Sequence, residues 1–207
     1  MPTYYATGNG ERANITLPDG SIVVLNVASR LAVPADYAAG NHVVHLIGEA
    51  LFTVSRHEKT PFTVLAGSTA ARVLGTSFVV RSYSADTSTI VAVRDGKVAV
   101  GTAVVTANRL LEVAGNGLPR VRQSDASPFT FATGTLTLTS MPLTAGIVEL
   151  NRWYDTDIRL GDSALASRRI EGEFAAGSLS DLAAILELTF NVHVVRDGRV
   201  LTLFPRE

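Results

Sequence analysis

Pro61-Phe62-Thr63-Val64-Leu65 and, six residues later, Arg72-Val73-Leu74-Gly75-Thr76-Ser77-Phe78-Val79-Val80-Arg81 decide how this chain folds. Both runs are rich in β-branched and aromatic residues, which suit a pleated and half-buried surface. Side chains alternate along a strand, so Phe78 and Val80 share one face, expected to be buried. Gly75 marks a backbone conformation that a side chain resists. The segment reads as structural rather than catalytic.

Outward from it, residues 10–114 read as all-β. Val44, Leu46, Gly48, Ala50, Phe52 and Val54 fall on one face of an extended strand. Pro18-Asp19-Gly20 and Asp95-Gly96 place glycine where a turn needs positive φ, and Gly40-Asn41 and Ala66-Gly67 punctuate in the same way. That rhythm fits a sandwich, a barrel or a solenoid, with a β-sandwich or solenoid-like stack the expected architecture. Helix has room only in the first residues or around Ala35-Asp36-Tyr37.

Residues 115–128 are polar, with two glycines and two prolines, and mark a boundary. The expected division is an all-β domain over 1–114, a linker and connecting strand over 115–133, and a small α+β domain over 134–207. In the last, Leu136 and Leu138 suggest a strand, and Pro142 suits a helix start. Leu143, Ile147, Leu150, Asn151 and Tyr154 follow at helical spacing, and Ile158-Arg159-Leu160 reads as a strand. The order then repeats. Arg169–Phe174 alternates as a strand, and Ser178-Leu179-Ser180-Asp181 is a capping box. Leu179, Leu182, Ile185, Leu186 and Phe190 form the stripe of the helix it opens. Val192–Val195, the Asp197-Gly198 turn and Val200–Leu203 close as a hairpin. Two β-α-β units therefore follow one another.

Composition excludes several functions. The 207 residues are 46% hydrophobic and 18% charged, with net charge −1 and no cysteine. Disulfides and thiolate metal sites are thereby excluded, and no basic stripe points to nucleic acid. No run approaches the ~20 apolar residues of a membrane span, and the N-terminus lacks a signal-peptide pattern. Residues 1–133 hold 11 Lys/Arg against 9 Asp/Glu and residues 134–207 hold 7 against 10, giving +2 and −3. Neither balance is large enough to steer a partner.

Chemistry finds few candidates. His42 and His45, three apart in a strand, point to opposite faces and cannot chelate one ion together. His57 and Glu58 are adjacent and diverge, and His193 lies in a strand. No metal and no cofactor is expected. Gly161-Asp162-Ser163-Ala164-Leu165 lacks the second glycine and the strand-to-helix setting of a nucleophile elbow. Gly115-Asn116-Gly117 lacks the third glycine of a dinucleotide loop. Glu171 and Glu173 read as the solvated face of a strand. Trp153 reads equally as core or as an exposed anchor.

The Pro61–Leu65 and Arg72–Arg81 runs resemble the signature of the FecR family of single-pass anti-sigma regulators of iron uptake. Gly10–Ser21, Gly48–Val54 and Val91–Val100 resemble further landmarks of that family, in the same order. Gly48, Phe52, Phe62, Gly75, Phe78 and Val80 are the signature positions. Leu150–Tyr154, Ile158–Leu160, Asp162–Ala166 and Arg169–Phe174 resemble the family's C-terminal pattern, and the element order resembles the short secretin/TonB N-terminal domain, STN. Where the family often has Trp and Phe at the strand entering this domain, the chain has Phe131 and Leu138.

The resemblance implies a cytoplasmic segment and a membrane span ahead of residue 1, so the chain reads as an excised periplasmic region. It implies a partner, the periplasmic signalling domain of a TonB-dependent outer-membrane siderophore transducer. The signal would pass to an extracytoplasmic-function sigma factor. No enzymatic activity is implied. Unpaired sheet edges invite an added strand. The expected edges are Arg169–Phe174 and Val200–Phe204, with Trp153, Arg168, Arg169, Glu171 and Glu173 as contact residues. Two other readings stand: a periplasmic scaffold or secretin-type assembly module, and a carbohydrate-active β-solenoid enzyme.

Overall fold

The computed structural model of the chain describes residues 1–56, 60–115 and 119–206. His57, Glu58 and most of the Gly115-Asn116-Gly117 run lie outside the described residues. The chain forms two compact units, Met1–Ala132 and Thr133–Glu207.

The first unit holds β1 (Thr3–Ala6), β2 (Ala13–Thr16), β3 (Ile22–Leu25), β4 (Arg30–Val33), β5 (Val43–Thr53), β6 (Phe62–Ala66), β7 (Thr69–Val73), β8 (Ser77–Ser82), β9 (Ser88–Asp95), β10 (Lys97–Val100), β11 (Ala103–Thr106), β12 (Arg109–Ala114) and β13 (Arg120–Gln123). Of the two places with room for helix, the first residues form β1, and Tyr37–Ala39 is a short 3-10 turn. The strands make two layers that share β5. One layer runs β1-β4-β5-β6-β7-β10-β11, and the other runs β2-β3-β5-β8-β9-β12-β13. Val43–Leu46 of β5 pairs in parallel with β6, and Gly48–Thr53 pairs antiparallel with β8. One strand thus serves both layers, and the architecture is a sandwich rather than a solenoid.

Between the layers lies a single core. Phe52 stacks on Phe78 at 5.4 Å between ring centroids and meets Phe62 at 5.8 Å. Val44, Leu46, Ala50 and Val54 join the same cluster, as the alternation of β5 predicts. Phe78 and Val80 are fully buried, and so is Val79 on the opposite face of β8.

Passing from one layer to the other requires a sharp change of backbone direction. Gly10, Ala28, Gly48, Gly75, Gly96 and Asn108 have positive φ at crossings between β1 and β2, between β3 and β4, within β5, and ahead of β8, β10 and β12. Gly48, at φ 107°, also lies against Ser29, and a Cβ there would stand 2.3 Å from Ser29 Oγ. Gly75, at φ 146°, approaches the Arg56 Cα so closely that a Cβ would stand 2.9 Å away. No side chain fits either place without strain. Gly96 has the expected positive φ, but Asp95-Gly96 carries the chain between layers instead of closing a hairpin: β9 pairs with β8 and β12, and β10 with β7 and β11.

Within residues 115–133 lies β13, which pairs with β12. A 3-10 segment, Ser127–Thr133, follows and buries Phe129 and Phe131. The Arg94 guanidinium lies 4.6 Å over the Phe129 ring, and Arg12 Nη1 donates to the Phe131 carbonyl at 2.7 Å.

The second unit runs β14 (Thr135–Pro142), α1 (Leu143–Tyr154), β15 (Asp157–Leu160), a 3-10 turn (Ser163–Ser167), β16 (Arg169–Ala175), α2 (Leu179–Phe190), β17 (Val192–Asp197) and β18 (Val200–Pro205). The element order matches expectation, but pairing is exchanged between the two units of the repeat. β14 pairs antiparallel with β16, whereas β15 pairs in parallel with β18, which also pairs with β17. β18 is therefore a central strand, and Val200–Phe204 is not the expected edge. Leu138, Leu143, Leu150, Ile158, Ile170, Phe174, Leu182, Leu186, Leu201 and Leu203 belong to its separate core. Ser178 and Asp181 form the expected capping box.

Candidate functional site

The β14–β16 pair is a two-stranded ribbon, so among the described residues each strand has one edge without a sheet neighbour. Its inner side carries Leu138, Ile170 and Phe174 into the core. Helix α1 presses onto it closely: a Cβ on Gly146 would stand 2.3 Å from Ile170 Cγ2. That glycine was not singled out from sequence, although its place on the helix stripe was a signal for close packing. The Tyr154 hydroxyl donates to the Ala175 carbonyl at 2.7 Å. Burial, and then the charge of Asp181, push that phenol's pKa up.

Arg169, Glu171 and Glu173 are all exposed on β16, at alternate positions and so on one side of the strand. Glu173 is opposite Thr137, and Glu171 is opposite the irregularity between Leu138 and Met141. Arg169 is held there: its Nε donates to Ser140 Oγ at 3.1 Å, and its Nη2 donates to the Ser140 carbonyl. The ribbon thus presents one cation and two anions with an open strand edge, an arrangement suited to adding a strand of complementary charge.

Two of the expected contact residues have other work. Arg168 Nη1 donates to the carbonyl of Phe190, the last residue of α2. It satisfies one of the carbonyls left over at a helix end. Trp153 is only 5% exposed and lies on the buried side of α1 with Leu143, Gly146, Ile147 and Leu150. It is not an exposed anchor. The helical stripe runs through Trp153, and Tyr154 packs beside it as a half-buried residue.

The described histidines do not converge. His42 precedes β5 and packs at 5.1 Å from the Tyr37 ring, whereas His45 is exposed on β5. His193 is 3.3 Å from Glu187, whose carboxylate also accepts the Val194 N–H at 2.8 Å and faces Arg206 at 3.4 Å. That N–H is the chief reason the Glu187 pKa is lowered. Among the described residues, no group of three His, Asp or Glu side chains is placed to hold a metal ion. Asp162 does sit between a strand and a short 3-10 turn, a setting the sequence did not suggest. Its carboxylate caps that turn by accepting from Ala164 N at 2.8 Å, and Ser163 beside it is exposed.

A second polar assembly escaped the sequence reading. Glu49, 8% exposed, accepts from Asn26 Nδ2 at 2.6 Å and lies 4.0 Å from Arg81 Nη1. Arg81 grips Asp86 through Nε at 3.0 Å and Nη2 at 3.2 Å, and its guanidinium covers the Tyr83 ring at 5.0 Å. Tyr83 Oη donates to the Val27 carbonyl at 2.8 Å, and Glu49 N donates to Ser29 Oγ at 2.9 Å. This network ties the crossing at Ala28 to the crossing at Gly48. A lone glutamate inside the apolar run of β5, with the arginine closing the signature, was the available signal.

Against known proteins, residues 3–99 match the family described as FecR protein, and residues 135–203 match that described as FecR, C-terminal. No curated protein matches the chain. Two crystal structures of a candidate anti-sigma factor from Parabacteroides distasonis ATCC 8503 are similar at 28% identity. The structure at 2.50 Å superposes with a TM-score of 0.86, covering 100% of both chains. The one at 1.65 Å gives 0.85, over 99% of this chain and 100% of the other.

Proposed function

The chain belongs to the FecR family, and from that premise we propose that it is the signal-receiving periplasmic region of a membrane-anchored anti-sigma regulator. Its partner is the periplasmic signalling domain of a TonB-dependent siderophore transducer, and an extracytoplasmic-function sigma factor takes the output. The observation that carries this reading is end-to-end similarity to a candidate anti-sigma factor, with both family patterns in order on one chain. The STN-like order of the second unit supports a regulatory docking role. No helix of the described residues is long and apolar enough to cross a membrane.

The receiving surface in this reading is the solvent side of β16 with its open edge. Regulatory encounters bury from under 1,200 to about 2,000 Å² in total, which makes micromolar to nanomolar affinity plausible. Calorimetry of the intact chain against signalling domains from several transducers tests this. One domain binds, and Glu171→Lys with Glu173→Lys weakens it by about tenfold or more, a loss of ~1.4 kcal/mol. Arg169→Glu also weakens it. Arg168 is left intact because its charge serves α2. Unchanged affinity in both variants removes the β16 surface from the account, and no binding to any signalling domain removes the receptor reading.

A further inference from the structure

On the first unit, the outer face of the β7-β10-β11 layer holds a cavity of about 620 Å³. Its floor follows from the register. Ala99 of β10 is paired with Arg72 on one side and Val104 on the other, so a small residue sits between two larger ones in one cross-strand row. The crossings Leu74-Gly75-Thr76 and Asp95-Gly96 wall one end. They are pinned together by Thr76 Oγ1, which donates to the Lys97 carbonyl at 2.9 Å and accepts from Lys97 N at 3.3 Å. The close approach of Arg56 to Gly75 makes a further wall.

Two properties of this trough point to an occupant. Leu74 and Val104, at 51% and 60% exposure, leave large apolar side chains in solvent at its two sides. A cavity of this volume lined in this way is within the ~300–1,000 Å³ range of ligand sites. Arg72 and Lys97 also line it, and neither has a carboxylate within ion-pair distance among the described residues. Among the described residues, Asp95 is the acidic side chain in the lining.

We propose that this trough binds an extended acidic peptide segment of a partner protein. An apolar side chain of the segment seats over Ala99 between Leu74 and Val104, and flanking carboxylates meet Arg72 and Lys97. Apolar contact supplies the burial and the two cations fix sign and register. The inference concerns the first unit and stands whether or not a transducer docks on the second.

The test uses nitrogen-15-labelled intact chain and an acetylated hexapeptide alternating glutamate with valine and leucine. Its counterpart carries lysine in place of glutamate. The glutamate peptide shifts the amides of residues 72–75, 96–99 and 103–105, and the lysine peptide does not. Arg72→Glu with Lys97→Glu weakens the glutamate peptide by about tenfold and reverses the preference between the two. Val104→Asp, which leaves both cations in place, weakens it as well. Equal response to both peptides, or shifts elsewhere only, overturns the proposal. So does a response to laurate with none to the peptide, which assigns the trough to a small amphiphile. Concentration-dependent shifts at these amides without any peptide assign it to a second copy of the chain.

Discussion

The first unit buries a charged network at its crossings, and the second carries the charges of β16 on its surface. Glu49, Asn26 and Ser29 are 8%, 3% and 0% exposed and are bonded to one another's crossings. On β16, Arg169, Glu171 and Glu173 stand in solvent. Asn26 Oδ1 is buried without a hydrogen-bond partner among the described residues, while the bonds of Asn26 Nδ2, Ser29 Oγ and Glu49 tie the crossings to one packing. An exposed set costs little to maintain and is free to meet a partner. The buried network suits a scaffolding role, and the exposed set suits the reception proposed for the ribbon.

Trp153, the sole tryptophan, reports on the second unit, whereas far-ultraviolet circular dichroism is dominated by the strands of the first. Following denaturation by both signals breaks or sharpens the contrast. The largest effect expected is that of Phe78→Ala, which empties the aromatic centre and costs about 3–5 kcal/mol in the circular dichroism transition. The tryptophan transition stays in place. Equal shifts in both would mean that the two units unfold as one.

Glu49→Ala comes next. It strips Asn26 Nδ2 of its acceptor and costs about 2 kcal/mol in the first transition. A loss within ~0.5 kcal/mol, typical of a surface site, would place this network outside the scaffold.

Smaller still is Ser178→Ala, which removes the α2 cap and shifts the tryptophan transition by about 1 kcal/mol. Acid acts on the same unit. The Ser178 hydroxyl and backbone N–H lower the pKa of Asp181, and the Val194 N–H lowers that of Glu187. A carboxyl whose folded pKa is depressed stabilises the fold above its unfolded pKa, and that stability is lost as pH falls through the folded value. The tryptophan transition therefore weakens on acidification below the ordinary carboxylate range, and Glu187→Gln flattens that dependence. An unaltered slope in Glu187→Gln would discount its bond to Val194.

What the sequence disclosed follows from how local each determinant is. The alternation of β5, the Phe78–Val80 face and the Ser178–Asp181 box depend on neighbours within a few residues, and all were legible. Gly48 was readable as a landmark, but its role in passing one strand between two layers depends on β3, β4, β6 and β8 together. The same holds for β18, whose central place comes from parallel pairing with β15, about 40 residues away in the chain. Trp153 was left undecided because the stripe drawn through 143, 147, 150 and 154 runs beside the one through 143, 146, 150 and 153, and α1 buries residues of both. Gly146 fixes the true stripe, since it is the residue that lets α1 touch Ile170. Of the candidate surface, Arg169, Glu171 and Glu173 were legible as one side of a strand. The duty of Arg168 was not, because its acceptor, Phe190, lies 22 residues away.

Reception by the β14–β16 ribbon is the central claim, and amide hydrogen exchange of the intact chain, with and without a bound transducer signalling domain, tests it most directly. The account predicts that protection rises along residues 135–142 and 169–175 and is unchanged in the core strands β5, β8 and β9. Protection gained only in the first unit, with the ribbon exchanging as it does in the free chain, would contradict it.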